Sequence, residues 1–254
     1  MLSLIGLGLW DEDDISIRSL NRAKNADIVY LELYTSKWYG NLKKLEKAIN
    51  KKIKILERID LEDQSERIIE EAKKDDVVVL VPGDPLVATT HNSLLLDAKK
   101  KGIKTEIIHN ASIYSAIGEC GLHLYKFGST VTIPFPEKTE MPLSTYEAIK
   151  ENRKRNLHSL ILLDIISEKN TYMTPKLGME ILLRVEEKEK KKCFTEDTWT
   201  IVLARIGSEK PLIAYGKVKD LLNKDFGNPP YVIITPGKLH FTEKEYIEFY
   251  RVSE

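Results

Sequence analysis

The stretch VPGDPLVATTH, Val81 to His91, follows the apolar run DVVVL and places turn-forming residues where a strand should hand over to a helix. Pro82 and Pro85 each fix a φ angle, and Gly83 permits close backbone approach. Asp84, held between them, offers a carboxylate that could accept hydrogen bonds from amino or hydroxyl groups. An ordinary loop needs one breaker, so this rigidity serves either a ligand or a sharp turn. A second strand end of the same kind follows at Ala111-Ser112-Ile113, where Ser112 could cap its own helix or offer a hydroxyl and a backbone N–H to a carboxylate. Both lie at the carboxyl ends of expected strands, the side on which open α/β sheets bind ligands.

Other candidate chemistry is weaker. Gly6-x-Gly8 begins a dinucleotide fingerprint, but the third glycine is missing, and Asp11, Glu12, Asp13 and Asp14 would repel a pyrophosphate at the following helix start. A tight turn with acids favouring a helix dipole accounts for that segment. The acidic run also lacks the alternating ligands and glycine of a calcium loop. His91, His109, His123, His158 and His240 show no i, i+4 pairing and no neighbouring cysteine, so no zinc site is encoded locally and no metal is expected. Cys120 and Cys193 fit neither a disulfide framework nor a nucleophile context, and no GxSxG elbow is present. What remains is a site with a rigid floor for something small and polar, without a phosphate requirement.

The elements that must position these residues alternate through the first half. LSLIGLG, DIVYLELY, KKIKILE, VVVLVPGD and IKTEIIH read as strands, and the segments between them as helices, among them a single helix over LEDQSERIIEEAKKD and one over HNSLLLDAKKKG closed by Gly102. Such alternation predicts a largely parallel sheet, placing the chain in the α/β class. The rhythm changes after LHLYKFG: STVTIPFPEKTEMPLS is rich in Pro, Thr and Glu and reads as a connection, so we expect an N-terminal α/β domain over 1–128 and a C-terminal α+β domain with a mixed sheet over 129–254. In the second half TPKLGMEILLRVEEKEK predicts a helix with Thr174 as N-cap and Pro175 at its first position.

Composition narrows the classes. The 254 residues include 42% hydrophobic and 31% charged, the balance of a folded globular chain. Lys plus Arg and Asp plus Glu are both 39, which leaves no global field to attract nucleic acid. RVEEKEKKK, Arg184 to Lys192, interleaves signs at helical spacing and reads as a solvated face. No apolar run approaches the roughly 20 residues of a membrane span, and the two isolated cysteines fit a reducing cytoplasm; we expect neither membrane nor nucleic acid as partner.

IGLGL, PGDPLVATTH, IHNASIYSAIGECGLHLYKFG, VLARIGS and PPYVIITPGKLHFTEKEY together resemble the diphthine synthase family of the tetrapyrrole methylase superfamily, and the likeness runs end to end. The Gly-Asp-Pro turn alone would indicate the superfamily; LVATTH and PGKLH point to the narrower family. The resemblance implies a two-domain tetrapyrrole methylase-like fold with S-adenosyl-L-methionine in a cleft between the domains, and a cytoplasmic homodimer. It implies methylation of the amino group of a modified histidine in translation elongation factor 2, a step toward diphthamide. It also implies donor contacts at Leu9, Asp84, Val87, Ser112, Ile113, Leu163, Ile206 and Tyr231, the last standing where close relatives are expected to carry His. The VPGDPLVATTH loop becomes, on this view, a ligand platform with Asp84 meeting the cofactor. No residue carries the signature of a catalytic base. Two other readings use the same features: a methyltransferase of this fold acting on a tetrapyrrole or RNA, and a non-catalytic cofactor-binding protein.

Overall fold

Five runs dominated by Val, Ile and Leu form one sheet: β1 (Leu2–Gly6), β2 (Ile28–Glu32), β3 (Ile53–Leu56), β4 (Val77–Val81) and β5 (Thr105–Ile108). Their order is β3-β2-β4-β1-β5, with every pairing parallel. The computed structural model describes residues 1–252. It divides into two compact units, Met1–Tyr114 and Ser115–Glu254. The division falls upstream of Gly128, because hydrogen bonds tie the segment before that glycine into the second unit: His158 N–H donates to Lys126 O and Gly128 N–H to His158 O, each at 2.9 Å.

In the first unit β1 and β4 are buried at every position, as a central parallel strand covered on both faces must be. The period of two sorts their side chains. Leu2, Leu4, Val77, Val79 and Val81 pack with Ile68 and Ile69 of α4 (Glu66–Lys74) and with Leu94, Leu95 and Ala98 of α5 (Asn92–Lys100). Ile5, Val78 and Leu80 turn the other way, onto Ala23 of α1 (Ile17–Asn25) and Leu45 and Ile49 of α2 (Leu42–Ile49). The single helix expected over LEDQSERIIEEAKKD is two, α3 (Arg58–Glu62) and α4, separated at Asp63-Gln64-Ser65. Gly102 closes α5 at φ +71°, as its position predicts. The short α6 (Ile113–Ala116) follows the β5 loop.

The second unit holds β6 (Val131–Ile133), β7 (Ser159–Leu163), β10 (Trp199–Ala204), β11 (Leu212–Lys217) and β12 (Tyr231–Thr235), ordered β11-β10-β12-β7-β6. Only β6–β7 is parallel, so the sheet is mixed. β8 (Ile165–Ile166) and β9 (Thr171–Tyr172) make a separate hairpin. β6 and the following α7 (Leu143–Lys154) occupy the stretch read as a connection and the residues just after it. α7 and α8 (Pro175–Glu189) supply Tyr146, Ile149, Met179, Ile181, Leu182 and Val185 to this unit's core. Thr174 caps α8 through Leu177 N–H at 3.2 Å, with Pro175 in its first turn as expected. α9 (Val218–Leu221) and α10 (Phe241–Ile247) complete the unit.

Candidate functional site

Because β4, β1 and β5 are neighbours and parallel, the loops at their carboxyl ends converge. Leu9 lies on the β1 loop, Asp84 and Val87 on the β4 loop, and Ser112 and Ile113 on the β5 loop. The loops are joined through backbone. Gly83 N–H donates to Gly8 O at 2.7 Å, Gly8 N–H returns to Gly83 O at 3.2 Å, and Leu7 N–H donates to Val81 O at 2.8 Å. A Cβ on Gly6 would lie 2.5 Å from Gly83 O and 2.8 Å from Asn110 Cβ, so only glycine lets the loops close this far. Gly8 and Gly83 adopt φ of +91° and +72°. The N–H of Gly8 is spent on Gly83 and is not directed at a phosphate. The acids beside it serve the turn: Asp11 accepts from Asp13 N–H and Asp14 from Trp10 N–H.

Asp84 is buried, and both carboxylate oxygens are engaged. Oδ1 accepts from Leu86 N–H at 3.0 Å, while Oδ2 accepts from His109 Nδ1 at 2.8 Å and from Asn110 N–H at 3.2 Å. Asp84 therefore pins the β4 loop to the β5 loop. Asn110 completes the assembly: its amide donates to Gly6 O at 3.1 Å and Asp14 O at 3.0 Å, and its side-chain oxygen accepts from Ala111 N–H at 2.8 Å. Ser112 is buried and its hydroxyl accepts from Tyr114 N–H at 3.3 Å, the capping role that its position allowed.

The remainder of the β4 loop rests on its own threonine and histidine. Thr89 Oγ1 and His91 Nδ1 both donate to Pro85 O, at 2.6 and 3.0 Å, and fold the loop back through Ala88 at φ +55°. His91 is buried, which holds its imidazole below the ordinary range. Its Nε2 faces Tyr34 OH at 3.4 Å and Glu32 Oε1 at 4.0 Å. Glu32, also buried, accepts from Thr35 Oγ1 and from the N–H groups of Thr35 and Tyr34, yet burial outweighs these bonds and pushes its carboxyl up to about 7.

In the second unit the other three expected contacts share one sheet end. Leu163 closes β7, Ile206 follows β10, and Tyr231 opens β12, which pairs antiparallel to both. Arg205, at φ +54°, donates its backbone N–H to Pro230 O at 2.9 Å and its guanidinium to Asn228 O at 3.0 Å, fixing the loop before Tyr231. The Tyr231 hydroxyl donates to Gly227 O within that loop. His158, by contrast, is buried between Glu243 Oε1 at 3.0 Å and Gly237 N–H at 2.9 Å and belongs to the framework. Among the described residues no cluster of His, Cys, Asp and Glu could hold a metal ion, and no helix is long and apolar enough to cross a membrane.

Residues 1–222 match the family model of tetrapyrrole (corrin/porphyrin) methylases. The chain is 48% identical over 252 residues to a diphthine synthase of Methanocaldococcus jannaschii, covering 98% of each protein, and 45% identical over 250 residues to that of Methanococcus maripaludis. This chain belongs to the diphthine synthase family. A crystal structure of a diphthine synthase superposes with a TM-score of 0.89 at 38% identity, covering 98% of this chain and 95% of that one. A candidate diphthine synthase from Entamoeba histolytica gives 0.92 at 39%, covering 100% and 99%. As a diphthine synthase family member with a methylase domain, the protein is a methyltransferase of the tetrapyrrole methylase fold. A Cβ built on Gly83 would meet nothing closer than Ser112 Cβ at 3.8 Å, so the turn is open on the side of Ser112. His109 and Asn110 belong to these loops and fall within IHNASIYSAIGECGLHLYKFG directly after β5, although the sequence alone assigns neither to the site.

Proposed function

We propose that the protein transfers methyl groups from S-adenosyl-L-methionine to the amino group of a modified histidine in translation elongation factor 2, within diphthamide biosynthesis. The observation that carries this reading is similarity to diphthine synthases across essentially the full length of both chains. A cytoplasmic homodimer is part of the same reading. The donor supplies a methyl carbon on a sulfonium, and its departure as a neutral thioether needs no oxyanion hole. Rate enhancement then rests on alignment and exclusion of water. The chain's part is to orient. The β4 loop with Asp84 and Val87, the β1 loop with Leu9, and Ser112 and Ile113 would hold the donor from the first unit. Leu163, Ile206 and Tyr231 would do so from the second, Tyr231 through its backbone because its hydroxyl is taken by Gly227.

Incubation with isotopically labelled S-adenosyl-L-methionine and separate pools of elongation factor 2, tetrapyrrole and RNA tests the reading. Label on the factor is expected. Label on tetrapyrrole or RNA alone would move the activity to another branch of the fold, and binding without transfer would make the protein a cofactor-binding module.

A further inference from the structure

His109 is exposed over 67% of its side chain, yet its Nδ1 sits 2.8 Å from the buried carboxylate of Asp84. Stability does not explain that pairing. An ion pair with one partner this exposed contributes little, and Asp84 already receives the N–H groups of Leu86 and Asn110. What the contact fixes is the tautomer. A carboxylate can only accept, so Nδ1 carries the proton and the basic lone pair belongs to Nε2. Nε2 has no hydrogen-bond partner among the described residues. A carboxylate orienting an imidazole whose far nitrogen is free and accessible is the arrangement that makes histidine a general base.

We propose that His109 Nε2 is the base that deprotonates the acceptor amine, with Asp84 as its orienting partner. The proposal rests on the methyltransferase reading above. His109 takes the proton of the acceptor ammonium, and the freed nitrogen lone pair forms the N–C bond to the methyl carbon. The C–S bond breaks with its pair retained on sulfur, so one sulfonium and one amine become one thioether and one methylated ammonium. The Asp84 carboxylate balances the imidazolium, which returns its proton to solvent through its exposed edge. His109 begins the loop that continues through Asn110 to Ser112, which borders the open side of the Gly83 turn.

Three variants of the full-length protein decide it, using elongation factor 2 that carries the aminocarboxypropyl group as acceptor. His109→Ala should lower kcat about 100-fold, within the usual range for loss of a general base. It should leave S-adenosyl-L-methionine affinity within twofold by titration calorimetry, and added imidazole should restore turnover at least tenfold. His109→Asn keeps an N–H donor for Asp84 but has no basic nitrogen, so it should be as slow as His109→Ala; His109→Gln should be slow as well. Recovery of turnover in His109→Asn would overturn the proposal and make the residue a loop support. Full turnover in His109→Ala, or parallel loss of donor affinity and turnover without imidazole rescue, would overturn it too. Wild-type protein that binds the donor but transfers nothing to the modified factor would sink the functional reading, and this inference with it.

Discussion

Asp84 shows how far a single residue could be read in advance. Flanking prolines and the strand end marked it as a site residue, but a carboxylate's partners depend on which strand lies next door, and VPGDPLVATTH does not contain that information. The structure spends both oxygens on Leu86, His109 and Asn110, so the expected effect of Asp84→Ala is release of two loops together. Donor affinity should fall by about 1–3 kcal/mol with the fold retained, measured by calorimetry; unchanged affinity in a folded variant would remove the loop from the site. Glu32 gives a second, pH-dependent case. Its folded pKa, about 7, lies above the ordinary 4.5, so its contribution to stability is fully present below pH 4.5 and is lost as pH rises through 7. Glu32→Gln keeps the acceptor for Tyr34 and Thr35 and removes the charge. The variant should therefore gain on wild type between pH 4.5 and 7, approaching roughly 3 kcal/mol at about 1.4 kcal/mol per pKa unit. A difference in unfolding free energy that stays flat across that window would show that Glu32 is not held neutral by burial.

Elements were legible where one periodicity ran unbroken and obscure where it did not. The β1 and β4 runs and the capped α8 announced themselves through continuous apolar residues and through Thr174-Pro175. β6 is only three residues long between turn-forming segments, and α7 begins at a proline N-cap without a side-chain cap, so neither stood out from STVTIPFPEKTEMPLS. PGKLHFTEKEY was legible as a family sign before its physics was. At its centre Glu243, in the first turn of α10, accepts from the N–H groups of His240 and His123, from His158 Nε2 and from Lys126. Burial opposes its charge, but these donors hold its carboxyl down to about 2. The stability it supplies is complete above pH 4.5 and is lost as pH falls through 2. Glu243→Gln should cost about 3 kcal/mol at pH 7 and flatten the acid limb of a urea-unfolding series. Equal stability at pH 7 would contradict the pinning role.

At the scale of the molecule, alternation of strand and helix was enough for a parallel sheet in the first half, and its breakdown for a mixed one in the second. Strand order was not, since β3-β2-β4-β1-β5 follows from crossovers that no local pattern records. That order makes chemistry of separate motifs: it sets β4 and β5 on either side of β1, and so brings Asp84 to His109 across 25 residues of chain. The net charge of zero bears on encounter with a protein substrate, which must rely on local contacts more than on steering, so transfer should depend only moderately on salt. The most direct test is mass spectrometry of intact elongation factor 2 after incubation with the protein and S-adenosyl-L-methionine across a pH series. Factor carrying the aminocarboxypropyl group on its target histidine should gain mass in methyl steps, faster as pH rises toward the ordinary α-amino pKa of about 8, while unmodified factor stays unchanged. Methylation of factor lacking that group, or no mass gain on the factor that carries it, would contradict the account.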